Sequence, residues 1–214
     1  MMWLFGVVVA VELLGVTLDV PLLQWLAKPL LAPVLIAYLW TVRRRFDGVA
    51  VGLVFATAGD VALLMSGQTA FLAGMAFFLG AQISFLVTFV RRRRPPLPAL
   101  LGYAVLWALA NALLWSSLGP LRLPILGYSL ALCAMAAAAV GVSRRTAIGG
   151  ALFLFSDLVI GLGAAGTTLP GHHLLVMTTY IAALLLITTG WAAAGPGATG
   201  EPAGRPPSPT TARA

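Results

Sequence analysis

The sequence predicts an all-α polytopic membrane protein, a bundle of eight transmembrane helices with both termini cytoplasmic. Hydrophobic residues make up 60% of the 214 and charged residues only 9%, against roughly 25% charged in an ordinary soluble domain. The apolar residues fall in runs approaching the ~20 needed to cross a bilayer as helix, divided by Pro, Gly and arginine clusters. Those clusters recur at every second break, as short loops on one side of a membrane would.

The first run, 3–18, has no Lys or Arg at its start and is interrupted by Glu12, so it reads as a retained helix and not as a signal peptide. The second, 29–42, is short and begins at Pro29, a residue favoured at the first helical position. The third, 49–65, carries Asp60 in VFATAGDVALLM, and the fourth, 69–90, ends against four arginines. The fifth, 97–118, holds Asn111, and the sixth, 123–142, holds Tyr128. The seventh, 148–166, carries Asp157 in ALFLFSDLVIGL, and the eighth, 173–194, has Tyr180 near its start. Beyond it, residues 195–214 are crowded with Pro and Gly and lack apolar periodicity, so a disordered tail is expected after a single transmembrane domain at 1–194.

Arg43, Arg44 and Arg45 follow the second run, Arg91 to Arg94 the fourth and Arg144 and Arg145 the sixth, with Arg205 and Arg213 in the tail. With eight helices these eleven of the thirteen basic residues share one side, which the positive-inside rule makes cytoplasmic. The net charge of +7 is therefore read as topology, not as a nucleic-acid surface. Composition rich in Ala, Gly, Arg and Pro points to a GC-rich bacterial genome, hence to the bacterial inner membrane.

Several motifs are set aside. A lone cysteine, Cys133, permits no intrachain disulfide and no cysteine-based metal spacing. Gly161, Gly163 and Gly166 spell G-x-G-x-x-G, but no strand precedes them and no acidic residue follows at the right distance. His172 and His173 have no nearby partner for metal ligation, so neither metal nor cofactor is expected. Gly48 and Gly52 form a small-xxx-small pair suited to close helix packing.

The two aspartates remain. A carboxylate at the centre of a membrane helix costs roughly 2.5–3.5 kcal/mol on insertion scales, which marks each as a functional candidate. At 1.5 Å per residue, Asp60 lies about 8 Å and Asp157 about 14 Å from the non-arginine ends of their runs. Lys28, Tyr128, Tyr180 and Asn111 fall in the same half, so a polar pocket is expected there, with Glu12, Asp19, His172 and His173 at its mouth. The competing reading is structural: the aspartates pair with Lys28 or hydrogen-bond Asn111 and Tyr180 to lock the bundle.

The stretches KPLLAPVL at 28–35, GDVALLM at 59–65, FFLGAQISFLVTF at 77–89, YSLALCAMAAAA at 128–139, GGALFLFSD at 149–157 and TYIAALLLITTG at 179–190 together resemble the YhhN family of membrane proteins, whose animal relatives are lysoplasmalogenases. The pattern departs at Gln82 and Phe85, where His and Tyr are expected, and at Ala183, where a Gln often stands. The resemblance implies hydrolysis of the vinyl ether bond of a lysoplasmalogen, or of a related lysophospholipid or ether lipid, to a fatty aldehyde and a glycerophospho-alcohol. It implies a site of Asp60 and Asp157 as catalytic residues, with Lys28, Tyr180, Tyr128, Asn111 and Gln82 binding substrate.

Vinyl ethers hydrolyse by protonation at carbon, capture of the oxocarbenium ion by water, and collapse of the hemiacetal. Two carboxylates sharing a dry cleft can divide this work, one protonated as acid and one ionised as stabiliser of the cation, as in glycosidases. Lys28, placed just before Pro29, is expected at a helix N-terminus, where it and the free amides would hold the substrate phosphate. A faint likeness between the third and seventh runs suggests two related four-helix halves. The alternative function is a small proton-coupled transporter or channel relaying protons through the same aspartates; a third is a scaffold without turnover.

Overall fold

The computed structural model describes residues 1–167 and 169–195, which form eight α-helices: α1 (Met2–Thr17), α2 (Pro21–Arg43), α3 (Gly48–Leu63), α4 (Gln68–Arg92), α5 (Leu97–Leu114), α6 (Arg122–Val140), α7 (Arg144–Ala164) and α8 (His172–Ala193). A 3₁₀ turn, Gly119–Leu121, leads into α6, and no strand occurs among the described residues. The expected disordered tail lies, from residue 196 on, outside the described residues.

Six of these helices, α2 and α4 to α8, are long and apolar enough to cross a membrane. α1 and α3 have 16 residues each, about 24 Å of helix, short of the ~30 Å hydrocarbon layer. Both are nevertheless part of the bundle, α1 packed on α2 and α8 and α3 on α2 and α4.

The second helix departs from expectation. It starts at Pro21, and Pro29 and Pro33 lie inside it. Taking Pro29 as a helix start applies a rule of soluble proteins; within a membrane bundle, neighbouring helices and local adjustments satisfy the backbone groups that an interior proline frees. The apolar stretch from 21 to 27 therefore continues the helix, and Lys28 becomes its eighth residue, well inside the bundle.

The arginine clusters assemble at one end. Arg43 Nη1 donates to the carbonyls of Trp191 (3.1 Å) and Gly195 (3.2 Å), and Arg92 donates to Gly195 (2.6 Å) and Ala194. Asp47 caps α3 by accepting from the Val49 and Ala50 amides, pairs with Arg43 Nε at 3.2 Å and accepts from Trp191 Nε1 at 2.7 Å. The ends of α2, α4 and α8 and the start of α3 are thereby tied into one layer. Everything chemically notable in the interior lies toward the opposite end.

Glycines set the closest helix contacts. Gly52 and Gly59 of α3 receive the rings of Phe85 and Phe78 from α4, and Gly80 of α4 receives Phe55. Gly149 of α7 faces backbone: a Cβ there would stand 2.8 Å from the Ile187 amide nitrogen and 2.9 Å from the Ala183 carbonyl oxygen on α8. Because neither atom can swing aside, Gly149→Ala is expected to destabilise the bundle by about 1–3 kcal/mol, read as a lower Tm in detergent. Gly127→Ala, with open space around it, is the control that should be tolerated.

Candidate active site

Asp157, near the middle of α7, lines a cleft formed mainly by α4, α5, α6 and α7 at the end away from the arginine clusters. The cleft has a cavity volume of about 110 Å³ and is partly open to the surroundings. Its walls are largely apolar, with Met75, Phe78, Leu106, Leu132 and Leu158 among them, and Asp157 carries its one carboxyl group among the described residues. The Tyr128 hydroxyl, from α6, and Gln82 Nε2, from α4 (3.2 Å), both donate to Asp157 Oδ2. Oδ1 takes neither bond.

Asn111 and Ser129 add polarity further along the wall. Asn111 Nδ2 donates to the Trp107 carbonyl (2.9 Å) and to Ser129 Oγ (3.1 Å), while its Oδ1 is buried without a partner. That orphan acceptor suits a ligand hydroxyl.

Asp60 occupies a separate setting. It is 1% exposed and accepts a 2.7 Å hydrogen bond from the Tyr180 hydroxyl of α8. Tyr180 packs edge-on against Phe78 and Phe153, at 5.7 Å from each, and those two rings meet at 6.2 Å. Phe78 therefore touches the cleft on one side and Tyr180 on the other. No hydrogen bond joins the two carboxylates among the described residues; each is held by its own tyrosine. The Tyr180 hydroxyl is within electrostatic range of Asp157 and Tyr128 as well.

Lys28 does not stand at a helix N-terminus and is absent from the cleft wall, so the expected phosphate cradle of Lys28 and free helix amides is not formed. The amides preceding it are spent within α2, whose true start is seven residues earlier. Lys28 is half-buried and faces Glu12 and Asp60 electrostatically, without a hydrogen bond or ion pair among the described residues.

Glu12 overturns its expected place at the mouth. It is 0% exposed, and both carboxylate oxygens are buried without partners. The signal was present in the sequence: Phe5, Val8, Glu12 and Gly15 form the buried stripe of α1 with the i, i+3, i+7, i+10 spacing of an inward helix face. Asp19, by contrast, lies exposed in the α1–α2 connection. His172 and His173 stand at the start of α8 and their rings pack together, outside the cleft. Since an orphaned buried acceptor costs about 1–3 kcal/mol, Glu12→Met is expected to raise the melting temperature in detergent; an unchanged or lower value would show that Glu12 is satisfied in the membrane.

Two of the three departures from the family pattern are packing positions: Phe85 and Ala183 are fully buried, one on Gly52 and the other beside Gly149. Gln82 alone touches a carboxylate.

The chain is 36% identical over 138 residues to the Sus scrofa protein named Lysoplasmalogenase TMEM86B, a match covering 64% of this chain and 59% of that relative. The Homo sapiens protein of that name is 34% identical over 141 residues, covering 64% and 59%, and that of Rattus norvegicus 35% over 138, covering 64% and 58%. The chain thus spans less than two thirds of the length of the curated relatives it matches. No solved structure matches it. The YhhN family model matches residues 23–191, from early in α2 almost to the end of α8, and the chain belongs to the YhhN family.

Proposed function

We propose that this multi-pass membrane protein is a hydrolase that cleaves the vinyl ether bond of a lysoplasmalogen or related lysophospholipid, releasing a fatty aldehyde and a glycerophospho-alcohol. The single observation that carries the reading is Asp157: a carboxyl group on the wall of an otherwise apolar cleft, with one oxygen occupied by two donors and the other free of them. The names of the relatives support the substrate class. The arginine end faces the cytoplasm of a bacterial inner membrane, by the positive-inside rule, and the cleft lies in the other half of the bilayer.

In this reading the alkenyl chain lies along the apolar wall, and Asn111 and Ser129 meet the glycerol end. Protonated Asp157 presents Oδ1–H to the vinyl carbon while Oδ2, as carbonyl oxygen, accepts from Tyr128 and Gln82. Proton transfer to carbon leaves an oxocarbenium ion beside the new carboxylate. Water adds to the cation and gives its proton back to Asp157. The hemiacetal then breaks its bond to the glycerol oxygen, its hydroxyl proton passing to that oxygen, so that the aldehyde forms and the glycerophospho-alcohol leaves. One water is consumed and the acid is regenerated. Asp60, held by Tyr180 behind Phe78, adds negative charge to the cation's surroundings.

The second reading, a proton-coupled transporter or channel, draws on Glu12, Lys28 and Asp60, three ionisable groups within α1 to α3. Purified protein in detergent with a 1-alkenyl lysophospholipid separates the two. Aldehyde release above a protein-free control is expected; no release, together with pH-gradient-driven flux in vesicles, would replace the hydrolase reading by the transporter.

A further inference from the structure

At the arginine end, far from the cleft of Asp157, a groove between the start of α3 and the last turns of α4 is lined by Arg45, Arg91, Asp47, Thr88, Val87 and Trp191 among others. Asp47 is the one acid at this end among the described residues. It is already occupied by Arg43, Trp191 and two helix amides. Arg43 and Arg92 are spent on carbonyls at and just beyond the end of α8 and stack on Trp191. Arg45 and Arg91 make no hydrogen bond or ion pair among the described residues, although both border the same groove. Two guanidinium groups around one concavity suit a phosphate, which each can grip with paired N–H donors.

The surface leading from the groove toward the bilayer centre identifies the phosphate's source. Val87 and Ile83 of α4 and Phe55 of α3 are 40%, 46% and 38% exposed; Val87 and Ile83 are four residues apart on one helix face, and Phe55 packs on Gly80, one turn further. A charged socket at the head of an apolar lane matches a lipid, not a soluble anion. We propose that this groove binds the headgroup phosphate of an anionic phospholipid, its acyl chains lying along Val87, Ile83 and Phe55. The site is independent of the proposed hydrolysis.

The test measures binding to purified protein in neutral detergent by native mass spectrometry and thermal shift, with phosphatidylglycerol, phosphatidylcholine and glycerol 3-phosphate as separate probes. Phosphatidylglycerol is expected to bind and raise Tm, and the other two to do so weakly or not at all. The double variant R45Q/R91Q should bind phosphatidylglycerol about 30-fold less tightly, equivalent to ~2 kcal/mol, while melting like wild type without lipid. R144Q/R145Q, which removes equal charge elsewhere at the same end, should bind as wild type does. Equal binding of phosphatidylcholine, equal binding of glycerol 3-phosphate, or equal losses in the two double variants would each overturn the proposal. If R45Q/R91Q fails to fold, the single variants R45Q and R91Q carry the comparison.

Discussion

Asp157→Asn is expected to lower aldehyde release from a 1-alkenyl lysophospholipid by about 10²–10⁴-fold, the range for loss of a positioned general acid. The amide has no acidic proton to give, yet its oxygen can still accept from Tyr128 and Gln82, so the variant should fold and melt close to wild type. KM should change little, because the cleft that holds the chain is lined by other residues. This combination separates a chemical role from a structural one: a group that only locks helices together would change Tm before it changed turnover. Tyr128→Phe keeps the acid and removes one of its two donors, so its loss should be smaller, about tenfold. Equal release by wild type and Asp157→Asn would remove Asp157 from the chemistry.

The legibility of this molecule divides along a physical line. The helices could be read because each must bury its own backbone in lipid, which forces long apolar runs and leaves polar breaks. The start of α2 could not, because Pro29 and Pro33 follow membrane rules and not soluble ones. The two aspartates stood out because a carboxylate among apolar residues is costly. Tyr128 and Tyr180 could be named as candidates, but their pairing could not: that Tyr128 serves Asp157 and Tyr180 serves Asp60 depends on α6 lying beside α7 and α3 meeting α8, a neighbour order that no local pattern encodes. The cleft was equally hidden, since it arises from how α4 to α7 stand around Asp157. Glu12 was missed for a different reason. Its buried stripe could have been counted, but a lone acid near the end of a short helix suggests solvent.

Tyr180→Phe is expected to cost about 1–3 kcal/mol of stability, because it takes the one hydrogen-bond donor among the described residues from a carboxyl group that is 1% exposed, and a buried polar group left without its partner costs about that much. Asp60→Leu in the wild-type background should also destabilise, though less, since it strands only a neutral hydroxyl. The double variant should recover most of the loss, because with both polar groups gone nothing is left unsatisfied among Phe78, Phe153 and the ring at 180. A coupling of about 1 kcal/mol or more in this cycle, within the range for residues in contact, read from melting in detergent, would establish the pair as a unit. Additive effects would mean that Asp60 finds another donor, with Lys28 the nearest cationic candidate. The catalytic side of the cycle discriminates further. Asp60→Asn keeps the acceptor for Tyr180 while removing the charge, so it should melt like wild type, and if Asp60 acts only by stabilising the oxocarbenium ion its rate loss should stay near 10-fold, well short of that of Asp157→Asn. A loss as large as that of Asp157→Asn would instead make the two carboxylates equal partners in proton transfer, linked across Tyr180.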